Sequence, residues 1–237
     1  MVERKFGKEA LKEVLEKLGN KYSTELGIDL SKQKPKEVFK WFLASILFGA
    51  PLPEAIAFKT YREFKIEGLL SAKSIVNAGW DKLVEVLDRG SYVRLDFKTA
   101  TKLLEVMGNL LSQYKGSLIT LYEGAADQKD LEERLKNLGK GLGDVAVSIF
   151  LRDLRGIWSK ADPKPTPLVI LAARNLGIVK AKTAEEVLVE LKNFWKKKRI
   201  PKWDFVNFET ALLRLGKNYC RKRKCEKCLV RRWCTRK

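Results

Sequence analysis

The chain holds 237 residues, room for one large domain or two modest ones, and its 45% apolar content with only 7 Pro and 16 Gly excludes a disordered or collagen-like polymer. Lys and Arg number 48 against 29 Asp and Glu, a formal net charge of +19, an excess that no fold requires and that a polyanion favours through counterion release. His is absent, which removes imidazole bases, serine-protease triads and His-ligated zinc and leaves proton chemistry to Asp, Glu, Lys, Tyr or water.

Only the bases are in surplus, whereas a thermophile's surface raises both signs together, so nucleic acid is the expected partner. No apolar stretch approaches the roughly 18–20 residues that cross a bilayer, the longest running over 41–50, and the amino end MVERKFGKEALKEVLEK has no signal-peptide core. These features predict a soluble, cytoplasmic, nucleoid-associated monomer from a prokaryote, with a thermophilic source left open. No membrane partner is expected, because no helix is basic on one face and freely apolar on the other.

Apolar residues recur at helical spacing almost throughout and strand-like alternation is nearly absent, so the predicted class is all-α. The first helix, 4–18, carries Leu11, Val14, Leu15 and Leu18 on one face and is closed by Gly19. Tyr22 to Lys34 is polar and poorly periodic and reads as a linker. Pro35 then opens a helix over 35–48 with Val38, Phe39, Phe42 and Ile46 on its apolar face. Helices follow over 53–66, 71–78 and 81–88, then over 96–114 with Asp96 as expected cap, 127–138 with Asp127 as cap, and 144–158. Lys160 to Pro167 holds three of the seven prolines and marks a second boundary. Beyond it lie helices over 166–176, 183–195 with Thr183 as cap, and 204–216. No repeat of fixed period stands out. The continuous block between the two breaks predicts a domain, 35–158, inserted between an amino-terminal part, 1–34, and a carboxy-terminal part, 159–237, of another.

Between two of these helices stands Leu138-Gly139-Lys140-Gly141-Leu142-Gly143-Asp144. Glycines there allow a tight hairpin and expose successive backbone N–H groups at the start of the next helix, where a phosphate is favoured. Alone, the pattern is more often that of a plain turn. A Rossmann reading fails because no strand precedes it. Further on, Asp162 lies in Ala161-Asp162-Pro163-Lys164-Pro165-Thr166-Pro167. The prolines stiffen the approach to its carboxylate, and Lys160 and Lys164 favour its ionised form. A helix cap before a rigid linker is the plain alternative.

All four cysteines fall within 220–234, as Cys220, Cys225, Cys228 and Cys234. Thiolates gathered so tightly in a reducing compartment point to a metal. Only one C-x-x-C is present rather than two separate knuckles, which favours a [4Fe–4S] cluster over zinc; zinc stays open, since the ligands alone do not discriminate. Leu229, Val230 and Trp233 lie between the ligands, with Trp233 placed to shield the metal. From Gly216 to Lys237 ten cations, Lys217, Arg221, Lys222, Arg223, Lys224, Lys227, Arg231, Arg232, Arg236 and Lys237, stand against Glu226, a net of +9. A metal-pinned loop would hold these cations against phosphates. A solvated basic tail is the alternative.

Together these residues resemble the helix-hairpin-helix DNA glycosylases of the endonuclease III type. ALLRLGKNYCRKRKCEKCLVRRWC is similar to that family's iron–sulfur loop, LGKGLGDVAVSIF to its hairpin and KADPKPTPLVI to the segment bearing its catalytic aspartate, in the same order. The resemblance implies a bilobal all-α fold, with a six-helix barrel lobe bearing the hairpin and a second lobe bearing the four-cysteine cluster loop. It implies base-excision repair of double-stranded DNA containing a lesion or mismatch, the target base being flipped out. Asp162 would be catalytic. Gly139, Lys140, Gly141 and Gly143 would bind DNA, as would Arg221, Lys222, Arg223, Lys224, Lys227, Arg231 and Arg232, while Tyr92 or Arg94 would fill the gap left by the base. Two departures stand out. Four residues rather than the family's six separate the first two cysteines. Asp144 stands where bifunctional members carry a Schiff-base lysine, which implies a monofunctional glycosylase; strand cleavage through Lys140, and a non-catalytic DNA-binding protein with a structural metal site, are the alternatives. The lesion pocket is expected near 41–54, where Ala44 and Ser45 replace the glutamate of adenine glycosylases and argue against adenine opposite oxoguanine.

Overall fold

The protein's structure, a computed structural model, describes residues 6–235. Every regular element among them is helical, and the one β-type pairing is an isolated bridge between Arg155 and Trp158. The chain divides into two compact units, one formed by 26–163 and the other by 1–25 with 164–237. The breaks fall at 25 and 163, whereas the sequence pattern placed them at 34 and 158. The reason is local at both ends. Ile28 and Leu30 of the expected linker are buried, and the Asp29 N–H donates to Glu37 at 3.4 Å. Trp158 is buried against Tyr122, ring to ring at 4.3 Å, so the chain leaves the larger unit only after that contact.

The larger unit contains α3 (Pro35–Phe48), α4 (Glu54–Ile66), α5 (Ala72–Arg89), α6 (Asp96–Tyr114), α7 (Leu118–Gly124), α8 (Gln128–Lys136) and α9 (Asp144–Asp153). α3 is its centre: every residue from Trp41 to Phe48 is buried, and α4, α7 and α9 pack around it. The Trp41 indole donates to the Phe150 carbonyl at 3.0 Å, giving the buried N–H its partner. α5 lies along α6 and is broken at Gly79, whose φ of 75° and ψ of 175° interrupt the helix where the sequence leaves a gap between 78 and 81.

The other unit contains α1 (Lys8–Leu18), α2 (Tyr22–Glu25), α10 (Pro167–Asn175), α11 (Ala184–Lys198) and α12 (Phe205–Leu215), with α12 packed on α1, α10 and α11. Ala10, Leu11, Val14 and Leu15 form the buried face of α1. Arg214 of α12, itself buried, joins the ends of the chain. Its guanidinium donates to the carbonyls of Leu18 at 3.2 Å and Asn20 at 2.7 Å, pairs with Glu25 at 2.8 Å and lies over the Tyr22 ring. A cation at those carbonyls satisfies the acceptors left at the carboxy-terminal end of α1.

Several local expectations change. α2 and α7 are additional, and the helix expected to reach 158 ends at Asp153. Asp127 and Thr183 cap their helices as the sequence suggests. Asp96 does not: Leu95 occupies the cap and Asp96 is the first helical residue, accepting the Phe97 N–H at 2.8 Å. Residues 4–5 of the first expected helix, and Arg236 and Lys237 of the basic tail, lie outside the described residues.

Candidate functional site

The glycine turn is built against α6. Asn109 donates to the Leu138 carbonyl at 2.9 Å, and Glu105 accepts the Lys140 N–H at 2.9 Å. Gly139 is buried so tightly on α6 that a Cβ would stand 2.6 Å from a Val106 methyl, and its own N–H is directed to Lys136. It is a packing residue, and its amide is not offered outward as the sequence reading expected. Gly141 has φ +85°, which a side chain makes costly, and a Cβ there would meet Cε of Lys102 at 3.2 Å. The Gly141 and Gly143 amides bond to no protein acceptor among the described residues, and Gly143 is the cap of α9. Asp144 is therefore not a cap; it is the first residue of α9, highly exposed and ion-paired with Lys136. The Lys140 side chain is exposed.

Beyond the carboxy-terminal end of α9 the chain turns at Gly156 and reaches Asp162. Arg155, almost completely buried at its side chain, donates from Nε to Asp162 Oδ1 at 2.8 Å and from Nη2 to the Pro163 carbonyl. The Asp162 side chain keeps 35% of its surface exposed. Its carboxylate is thus held by a guanidinium while the side chain remains partly exposed. The lysines expected to serve it are occupied elsewhere. The Lys160 ammonium sits among the carbonyls of Tyr122, Glu123 and Ala125 at the end of α7, and Lys164 pairs with Glu185. Asp162 is also not the cap of α10, a place held by Thr166. Arg155 has no sequence signal: it lies seven residues before its partner, across a turn. The glycine turn and Arg155 flank α9, whose ten residues rise about 15 Å.

In the other unit, α12 runs into a π-turn, Gly216–Cys220, that opens the cysteine loop. Gly216 is required there, since a Cβ would approach the Leu168 carbonyl oxygen to 2.1 Å. The far end of the loop is held by Asn175, whose carbonyl accepts from the Thr235 N–H at 2.8 Å, the Thr235 hydroxyl at 3.0 Å and the Cys234 thiol at 3.2 Å. Val230 and Trp233 are buried. Burial pushes the Cys228 thiol up, the Val230 amide works against this, and the charges of Cys220, Cys234 and Cys225 push it further. Among the described residues, no group of three or more His, Cys, Asp or Glu converges as donors to one ion. Arg221, Lys222, Arg223, Lys224, Lys227 and Arg231 are exposed. Arg232 is exposed as well, and it also stacks on Trp233 at 3.8 Å and pairs with Glu13 at 3.1 Å and Glu9 at 3.8 Å.

One further expectation is corrected. Tyr92 is a core residue, 1% exposed, with its hydroxyl donating to the Leu47 carbonyl at 2.8 Å, and its ring is not presented to a duplex. Arg94 beside it is exposed, as are Val93 and Phe97. Residues 41–48, expected near the lesion pocket, are wholly buried, with Ser45 bonded within its own helix to the Phe42 carbonyl. No helix among the described residues is long and apolar enough to cross a membrane. Comparison with family models and with curated proteins finds no match to this chain.

Proposed function

We propose that the protein is a DNA glycosylase of the helix-hairpin-helix kind that removes a damaged or mismatched base by hydrolysis and leaves an abasic site. The carrying observation is the state of Asp162: not a helix cap, held at 2.8 Å by Arg155, and open to solvent over part of its surface. Breaking an N-glycosidic bond builds positive charge on the deoxyribose while the departing base takes the bonding electrons. A fixed carboxylate stabilises that charge, and orients the water whose oxygen replaces the base. Asp144 offers no amine for imine formation, which supports hydrolysis without strand cleavage. Gly141, Gly143 and Lys140 grip a backbone phosphate, and the exposed cations of the cysteine loop hold the duplex. Arg94, with exposed Val93, takes the gap-filling role instead of Tyr92.

Cys220, Cys225, Cys228 and Cys234 would hold the metal group. The single C-x-x-C among the four cysteines, in place of two separate knuckles, is what supports an iron–sulfur cluster over a zinc ion. When bound, the group supplies a cross-link that fixes the basic loop. Purified protein is expected to be brown and to contain iron; colourless protein containing zinc would contradict that choice.

The test of activity is a panel of duplexes bearing uracil, thymine mismatches, oxidised bases or alkylated bases, each treated with alkali after incubation. At least one is expected to break only after alkali. Breakage without alkali would instead assign strand cleavage to Lys140. A binding-only protein is the second reading, favoured by the Arg155 ion pair, which offsets part of the Asp162 charge; binding with no base released from any duplex would establish it.

A further inference from the structure

We infer that Lys102 and Lys98, one turn apart on α6, extend the glycine turn into a track that holds consecutive phosphates of one DNA strand. This rests on the proposed DNA contact, but not on base removal. The face of α6 that receives the turn is formed by Lys102, Glu105, Val106 and Asn109, positions spaced as one helical stripe. Lys102 lies closest to Gly141, where a Cβ would stand 3.2 Å from its Cε and 3.8 Å from its Nζ. The ammonium therefore borders the turn whose Gly141 and Gly143 amides have no protein acceptor among the described residues. Lys98 continues the stripe about 6 Å along the axis, a spacing that lets two lysine stems reach neighbouring phosphates.

Some cations of this unit are met by a carboxylate within the protein and others are not. Lys40, Lys82, Arg89, Arg134 and Lys136 each pair with a carboxylate. Among the described ion pairs, Lys98, Lys102 and Lys140 have none. Lys102 is partly buried, and both that burial and the charge of Lys98 disfavour its ammonium form. Holding a cation there, beside another cation, works against folding and is offset only when an anion from outside arrives. Two carboxylates border the track: Glu105, engaged by the Lys140 amide, and Asp144, engaged by Lys136. Cations remain in excess, and the ligand class that meets two of them at one-turn spacing beside free amides is a phosphodiester chain.

The experiment measures binding of the full chain to an undamaged fluorescent duplex by anisotropy across a salt series. Each phosphate contact contributes about 0.9 to the slope of log affinity against log salt. Lys102→Met and Lys98→Met are each expected to lower the slope by about 1, and the double variant by about 2. Lys102→Arg is expected to retain the wild-type slope, which separates lost charge from a folding defect. Lys129→Met is the surface control, since that lysine is highly exposed on α8, and it should leave the slope unchanged. Equal slopes for wild type and Lys102→Met, or an equal drop in Lys129→Met, would overturn the track. Undamaged DNA keeps the two ideas apart. A reduced slope in a protein that releases no base supports the track and removes the glycosylase reading; unchanged slopes in an active glycosylase do the reverse.

Discussion

In the proposed reaction the Asp162 carboxylate faces a developing positive charge, and Arg155 holds it in place while offsetting part of its charge. The guanidinium fixes one carboxylate oxygen at 2.8 Å from a nearly buried position, so it acts by positioning. Replacing it by Gln removes the charge and the geometry together. Arg155→Gln is expected to slow single-turnover base release about 10- to 100-fold, as a misplaced catalytic group does, with duplex affinity within about twofold of wild type. Loss of the charged hydrogen bonds should cost about 1–3 kcal/mol in denaturant unfolding. An unchanged rate would make Arg155 purely structural. Lys102 gives a pH-dependent prediction. Its pKa is lowered in the folded state, so the unfolded chain binds more protons between that depressed value and the ordinary lysine value of about 10.4, and stability contributed by this group rises with pH across that window. Lys102→Met should therefore melt above wild type at neutral pH, with the gap closing as pH rises towards about 10. A gap that is absent at neutral pH, or that widens with pH, would contradict the environment assigned to it. Neither residue is legible in the sequence. Asp162 announces itself just ahead of three closely spaced prolines, but Arg155 reaches it across a turn, and Lys102 meets Gly141 through a packing contact with no local pattern.

At the level of elements, the helices whose apolar face repeats over several turns are the ones that periodicity finds, as in 35–48 and 96–114. α7, with seven residues, is too short to show a period and is fixed by Ser117, which accepts the Thr120 N–H. The tight turns depend on single glycines for different reasons, which separates their expected effects. Gly141→Ala forces a side chain into a left-handed backbone, at about 1–2 kcal/mol, and presses on a flexible lysine methylene. Gly216→Ala drives a methyl group against the rigid Leu168 carbonyl, so a core helix or the cysteine loop must move. Thermal melts should rank Gly216→Ala well below Gly141→Ala, while duplex affinity should fall in Gly141→Ala, whose melt drops by only a few degrees. The opposite ranking would mean that the turn at 216 is not held as described. The clustering of the four cysteines is legible from spacing alone, but the anchoring of their loop through the Asn175 carbonyl is not, because that contact joins distant parts of the chain.

For the whole molecule, the net charge of +19 carries a consequence that no single residue does. A protein that meets six to ten phosphates loses about 10³–10⁵ in affinity between roughly 50 and 200 mM salt. Affinity for any duplex should fall steeply over that range, and a nearly flat response would remove the backbone-grip reading. The all-α class was legible because helical spacing dominates the chain. The boundaries of the two units depend on burial of Ile28, Leu30 and Trp158, which composition does not reveal. The central claim is that the Asp162 carboxylate performs the chemistry. Its most direct measurement is single-turnover release of base from the most reactive duplex by wild type and by Asp162→Asn, with duplex affinity determined on the same preparations. Base release should be abolished in Asp162→Asn while affinity stays near that of wild type; equal rates in the two proteins would show that this carboxylate is not the catalyst.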